Sequence, residues 1–258
     1  MAQYDFEACV IGSGTGIPSA RRRSPALLVR WANQLHLFDC GAGTSRAMAE
    51  ANLDVHQVDW LWLTHFHPDH TGDLGPLLFA ARSPLYGRRK TLHIGGAVGL
   101  RSFYRKLKDL YGRWVQLAPG LLQFYEIEPS TPATLNLGPG KITFFAMNHT
   151  EASIGYRLET ANGKILCYSG DTDYCANAVQ LASNADLFFC ECSFPEHHRV
   201  EGHLTPRLAG RIAREANCKR LVLLHCYPIC DETDIAGSCR LEYEGPVTVA
   251  EDLTWFLL

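Results

Sequence analysis

Thr64-His65-Phe66-His67-Pro68-Asp69-His70 sets three imidazoles and a carboxylate within six consecutive residues, directly behind the apolar run Val58-Asp59-Trp60-Leu61-Trp62-Leu63. Packing accounts for the apolar run, which reads as a buried strand. It gives no reason to follow that strand with four ligand-type side chains in a loop bent by proline. In an extended chain, residues two apart point the same way, so His65 and His67 can converge on one cation. Beyond the turn at Pro68, Asp69 and His70 can face a second cation. Two ligand pairs from one loop point to two metals, and a loop of merely solvated histidines is the poorer account.

A site for two cations needs more donors, among them a carboxylate that holds the ions ~3.5 to 4 Å apart. His149 follows the strand-like stretch 141–146, in Met147-Asn148-His149-Thr150. Asp171 stands in Tyr168-Ser169-Gly170-Asp171-Thr172, where a buried run meets a glycine turn. His225 closes Leu221-Val222-Leu223-Leu224. Each ends an apolar strand, the place where α/β scaffolds build sites. Singly, each reads as an ordinary strand-end polar residue; with the opening loop they form a set.

Composition bounds the rest. A chain of 258 residues with 47% hydrophobic content can bury a large core. A net charge of -3 advertises no protein-wide attraction to nucleic acid. The N-terminus, Met1-Ala2-Gln3-Tyr4-Asp5, shows no basic region followed by an apolar run, and no stretch approaches transmembrane length, so a cytoplasmic protein with no membrane partner is expected. Ten cysteines are then reduced thiols rather than a disulfide framework. Cys190-x-Cys192 and Cys226-x3-Cys230 lack the spacing of a zinc knuckle and read as small hydrophobes.

Strand-like and helical patterns alternate along the whole length, which argues for a layered α/β fold, two sheets with helices outside. Strands are expected at 6–11, 26–31, 34–38, 60–63, 91–94 and 122–127, then at 141–146, 153–159, 164–168, 187–190 and 220–224. Helices are expected at 44–51, 72–82, 98–110, 174–182 and 206–216. Short, closely spaced strands suggest antiparallel hairpins, and the C-terminal alternation suggests crossovers. One domain spanning 1–258 is expected, with two similar halves and a loop-rich seam at 129–140. Gly12-Ser13-Gly14-Thr15-Gly16 has its third glycine misplaced for a dinucleotide loop and is followed by Pro18 to Arg23 instead of a helix, but suits a tight turn near a site.

The set His65-x-His67-x-Asp69-His70, His149, Asp171 and His225 resembles the metallo-β-lactamase superfamily in order and context. That resemblance implies a four-layer αββα sandwich of two mixed β-sheets with outer helices and the metal site at the sheet edge. It also implies His65, His67 and His149 on one metal, Asp69, His70 and His225 on the other, and Asp171 between them. Asp39, in Phe38-Asp39-Cys40-Gly41-Ala42-Gly43-Thr44, would orient the loop ligands; an ordinary strand-end turn explains it nearly as well. Ile11 to Pro18, the Phe38 to Thr44 turn, Ser169-Gly170-Asp171-Thr172, Cys190-Glu191-Cys192-Ser193 and Gly202-His203-Leu204-Thr205 are similar to the ribonuclease Z branch. In that branch the residue matching His203 donates a proton, supported by the one matching Glu191. Without the resemblance, this stretch reads as a helix start, with Thr205 as cap and Pro206 in first position.

The implied activity is that of a dinuclear metal-dependent hydrolase, most simply a phosphodiesterase. The cations, zinc or else manganese or iron, would generate a bridging hydroxide nucleophile; Asp69 would orient it and His203 protonate the departing alkoxide. Two departures narrow the substrate. Ribonuclease Z carries a long arm that grips transfer RNA between the positions of His149 and Asp171, and here only a hairpin fits. In place of the branch's Pro-x-Lys-x-Arg-Asn loop stands Pro18-Ser19-Ala20-Arg21-Arg22-Arg23, either a contact for substrate phosphates or a solvated charge run. The expected partner is a small phosphodiester or a short or cyclic nucleotide, not structured tRNA; a homodimer is implied by the family. Other expectations stay open: hydrolysis of a lactone, β-lactam, thioester or aryl sulfate on the same fold, tRNA 3′ cleavage, or a metal-bearing binding protein without turnover.

Overall fold

The computed structural model describes residues 6–128 and 132–258. Strand β1 (Glu7–Gly12) opens an antiparallel meander with β2 (Ala26–Trp31) and β3 (Gln34–Phe38). After helix α1 (Thr44–Glu50), strand β4 (Trp60–Trp62) adds in parallel to β3. Helices α2 (Pro68–Thr71) and α3 (Leu74–Ala80) lead to β5 (Leu92–Ala97), and α4 (Leu100–Tyr111) to β6 (Leu122–Ile127), both strands again parallel.

The second half repeats this grammar. Strands β7 (Ala133–Leu137), β8 (Gly140–Ala146), β9 (Ile154–Thr160) and β10 (Ile165–Tyr168) form an antiparallel meander. Helix α5 (Ala176–Leu181), strand β11 (Leu187–Glu191), helix α6 (Pro206–Glu215), strand β12 (Leu221–Leu224), helix α7 (Ile235–Arg240) and strand β13 (Val247–Val249) follow as parallel crossover units. Strand β14 (Thr254–Leu257) returns beside β1, so each sheet has seven strands.

Both faces of the strands are apolar because both are covered. On β1, Ala8 and Val10 enter a central cluster with Phe38, Trp62, Tyr156 and Phe189 from the two sheets, while Cys9 and Ile11 enter an outer cluster with Met48, Leu77 and Leu100 of α1, α3 and α4. The second outer cluster sets Leu181, Ile212 and Cys239 of α5, α6 and α7 against the other sheet. This is the expected αββα layering. All ten cysteines are free thiols, and Cys190, Cys192, Cys226 and Cys230 are buried in that second outer cluster as small hydrophobes. Among the described residues no helix is long and apolar enough to cross a membrane.

Three details differ from the sequence reading. The helix expected at 72–82 is shorter, Leu74–Ala80, and a separate turn, α2, precedes it: the Asp73 carboxylate accepts from the backbone N–H groups of Gly43 and Ser45, at 3.0 and 2.7 Å, and makes no bond to the start of α3. The seam at 129–140 contains β7, a half-exposed edge strand whose Ala-Thr-Leu-Asn-Leu sequence is too weakly apolar to stand out. The short β13, β14 and α7 were not expected either. The start of the seam, 129–131, and the N-terminal residues 1–5 lie outside the described residues.

Candidate metal centre

His65, His149, Asp171 and His225 lie within three residues of a strand end, and Asp69 and His70 in the short helix α2 that follows the β4 loop. Asp39 and His225, one and one residue past β3 and β12, both have φ of +58°, a left-handed conformation that non-glycine residues adopt at a cost. Gly170 also sits at φ +58°, and a Cβ placed there would lie 2.7 Å from the Thr64 side chain. Only glycine lets the chain turn after β10 and bring Asp171 over the histidine loop.

The structure gathers these side chains into two groups. His65, His67, His149 and Asp171 present donor atoms within 4.8 Å of one another, and so do Asp69, His70 and His225. Asp171 divides its oxygens between them. Its Oδ2 lies 3.8 Å from His65 Nε2 and 3.7 Å from His149 Nε2, whereas Oδ1 lies 3.2 Å from His70 Nε2 and 3.3 Å from His225 Nε2.

The opposite nitrogen of most rings is already engaged, which fixes the tautomer and aims the free lone pair inward. His70 Nδ1 donates to Asp39 Oδ2 at 2.8 Å, His149 Nδ1 to the Gly202 carbonyl at 2.9 Å, and His225 Nδ1 to Ser193 Oγ at 2.9 Å. His65 Nδ1 lies 3.0 Å from Thr64 Oγ1, which donates in turn to Asp39. Asp39 also accepts from the Thr64 N–H and the Tyr168 hydroxyl, at 2.8 and 2.9 Å, so it anchors the loop as well as one ligand. Gly202, at φ +84°, leaves the room beside His149 that a Cβ would take.

Left with inward lone pairs, the rings crowd: His65 Nε2 and His67 Nδ1 are 2.9 Å apart, and His70 Nε2 and His225 Nε2 are 3.2 Å apart. Asp171 Oδ1 is buried without a hydrogen-bond partner among the described residues. Imidazoles, carboxylates and an orphaned buried oxygen converging on two points are what a pair of divalent cations would satisfy. Burial and then the nearby His70 push the His65 ring down to about 2, keeping it an unprotonated donor. Burial opposes the charge on Asp171, but the His225 and His70 rings overcome it and hold the carboxyl well below its usual range. Asp69 behaves alike: burial raises it, and the bond to His225 with the His70 charge lowers it more.

Beside this cluster stands a second arrangement. Glu191, fully buried at the end of β11, accepts from His203 Nδ1 at 3.0 Å, from Ser193 Oγ at 2.6 Å, and from the Thr172 and Leu204 N–H groups at 2.8 and 3.1 Å. Burial would lower the basicity of His203, but the Glu191 bond and charge, with Asp171 and Asp69 behind, raise it. The His203 ring packs 4.7 Å from that of His149. A third donor group, Asp171, His203 and His225, also falls within 4.8 Å. Thr205 starts α6 but makes no side-chain cap bond.

Ser193, which ties Glu191 and His225 together, was not singled out in the sequence; its only signal was its place in Cys190-Glu191-Cys192-Ser193. The glycine loop does adjoin the site, the Gly16 N–H donating to Asp69 Oδ2 at 3.0 Å. Arg21, Arg22 and Arg23 are engaged in ion pairs within the chain. They pair with Asp231 and Glu251, with Asp231, and with Glu50 and Asp252, latching the N-terminal loop to distant segments.

Comparison with known proteins agrees with this arrangement. Residues 36–226 match the beta-lactamase superfamily domain. Ribonuclease BN of Citrobacter koseri is 27% identical over 92% of this chain and 93% of its own length. Among solved structures, the metallo-beta-lactamase fold protein YhfI of Bacillus subtilis superposes with a TM-score of 0.83 at 25% identity, covering 98% of this chain and 99% of its own. The short form of human tRNase Z does so with a TM-score of 0.77 at 23% identity, over 97% and 98%. A family match across the whole donor set, with relatives aligned along nearly the full length, shows that the chain belongs to the metallo-β-lactamase superfamily, in its ribonuclease Z-like branch.

Proposed function

We propose that this protein is a metal-dependent hydrolase with two divalent cations, and that its reaction is phosphodiester hydrolysis on small phosphodiesters or short or cyclic nucleotides. His65, His67 and His149 would hold one ion, Asp69, His70 and His225 the other, and Asp171 both. Donors from both sheets serve one centre, which supports treating 1–258 as a single catalytic unit. Zinc suits the imidazole-rich set, and manganese or iron the same positions.

When bound, the cations acidify a water near neutral pH and neutralise charge on the attacked phosphorus. The residues supply the rest. Asp69, steadied by the Gly16 amide, accepts a proton and orients the attacking water. His203 keeps Nδ1 on Glu191, so Nε2 is the atom that gives a proton to the departing oxygen. An alkoxide leaving from phosphorus needs that proton.

The observation that carries the phosphodiester reading is the buried Glu191, which accepts from His203 Nδ1 at 3.0 Å and raises its basicity beside the donor cluster. The short β9–β10 hairpin, with four residues between its strands, supports a small substrate. A tRNA 3′ endonuclease is the second reading, supported by the full-length likeness to the short form of tRNase Z. Incubating the metal-loaded protein with cyclic nucleotides, dinucleotides and a precursor tRNA separates them: cleavage of the small diesters is expected, and cleavage of the tRNA alone overturns the small-substrate reading.

A further inference from the structure

Two aromatic side chains beside the centre, Phe194 and Tyr227, stand outside the hydrophobic clusters. Phe194 and Tyr227 each lie three residues past the ends of β11 and β12, and Glu191 pairs with Leu224 in the parallel register. The two positions therefore emerge side by side. Their rings stack with centroids 4.3 Å apart and planes 25° apart. Both are half-buried, and neither joins any of the three hydrophobic clusters.

Their setting is fixed and faces the chemistry. The Cys192 N–H donates to the Leu224 carbonyl at 2.8 Å, the Tyr227 N–H to the Ser193 carbonyl at 3.3 Å, and the Cys230 thiol to the same carbonyl at 3.1 Å. The Phe194 ring lies 5.8 Å from that of His203; the Tyr227 ring lies 6.5 Å from His203 and 6.3 Å from His225. Two aromatic rings held in place and left partly in water forgo the gain of burial unless a flat apolar partner completes it. A nucleobase is such a partner, because every base has a π-face and stacks on an aromatic ring without needing a sequence-specific bond. Proximity to His203 places that base on the side of the departing oxygen.

We infer that Phe194 and Tyr227 form a stacking platform for the base of a nucleotide substrate, on its departing side. This rests on the phosphodiesterase reading and narrows it to nucleotides.

Binding tests the platform without turnover. Affinities of the metal-loaded protein for adenosine 3′- and 5′-monophosphate are measured by calorimetry against ribose 5-phosphate, which has no base. The wild type is expected to prefer an adenosine phosphate by about tenfold, within the range of base–aromatic stacking. Phe194→Leu and Tyr227→Leu should each reduce that preference several-fold while leaving ribose 5-phosphate affinity unchanged, and Tyr227→Phe should keep it. Equal affinity for all three ligands, or a parallel loss for all three in the leucine variants, overturns the inference. Hydrolysis of the dinucleotide ApA is scored separately. Base preference without ApA cleavage keeps the platform and removes the phosphodiesterase reading; cleavage without base preference does the reverse.

Discussion

The Nδ1–H of His203 donates to Oε1 of Glu191 across 3.0 Å, and the accepting carboxylate is wholly out of solvent. If His203 is the proton donor, His203→Ala should keep its metal and lose about 10²- to 10⁴-fold in kcat, the usual span for a general acid. Glu191→Gln removes the negative charge and keeps an acceptor for only one of the Thr172 and Leu204 amides, which bond to different carboxylate oxygens, so it should lose turnover as well. Elemental analysis of each variant beside its kcat decides the role. A missing ion in His203→Ala would place it instead with Asp171 and His225 as a ligand, as their mutual 4.8 Å proximity permits.

Asp171 divides its two carboxylate oxygens between both donor groups. Asp171→Ala should therefore weaken both ions together, lowering the metal content from two equivalents to one or fewer after dialysis. His149→Ala touches one group and should retain the ion held by Asp69, His70 and His225. Equal retention in the two variants would contradict the bridging role.

Gly170→Ala forces a side chain into left-handed backbone, costing about 1–2 kcal/mol, and drives its Cβ to 2.7 Å from Thr64. A drop in unfolding free energy of at least that size is expected in denaturant titrations, together with weaker metal retention because Asp171 is the next residue.

His36 offers a pH-dependent stability far from the donor cluster. Its Nδ1 accepts from Trp62 Nε1 at 3.1 Å, and burial pushes the ring down to about 3, against a weaker opposing pull from Asp59. The unfolded chain takes up this proton near pH 6.5, and the folded chain does not. The contribution is thus complete above pH 6.5 and is lost as pH falls toward 3, by about 1.4 kcal/mol per pH unit. His36→Gln can accept the same bond but cannot titrate. Chemical denaturation from pH 7 to 4 should show a steeper loss in the wild type than in the variant; equal slopes would show that His36 is protonated in the fold.

The donor set was legible because strand ends announce themselves: an apolar run that stops at His65, Asp171 or His225 leaves a polar side chain with no packing purpose. The layer order was legible in the same way, from strands apolar on both faces. What escaped notice had no such contrast. Ser193 and Thr64 act through hydroxyls that bond to Glu191, His225, Asp39 and His65, and a hydroxyl of that kind looks like any other in sequence. The split between α2 and α3 depends on where the Asp73 carboxylate goes, and Arg21 to Arg23 find partners some thirty to two hundred residues away, contacts that no local pattern encodes.

This centre is expected to work on phosphorus. The most direct measurement is kcat/KM for matched chromogenic phosphodiester, phosphomonoester, aryl sulfate and lactone substrates, taken on protein shown by elemental analysis to carry two metal equivalents. The phosphodiester should be preferred by at least about tenfold, and that preference should collapse in His203→Ala. Faster turnover of the lactone, unaffected by His203→Ala, would contradict it.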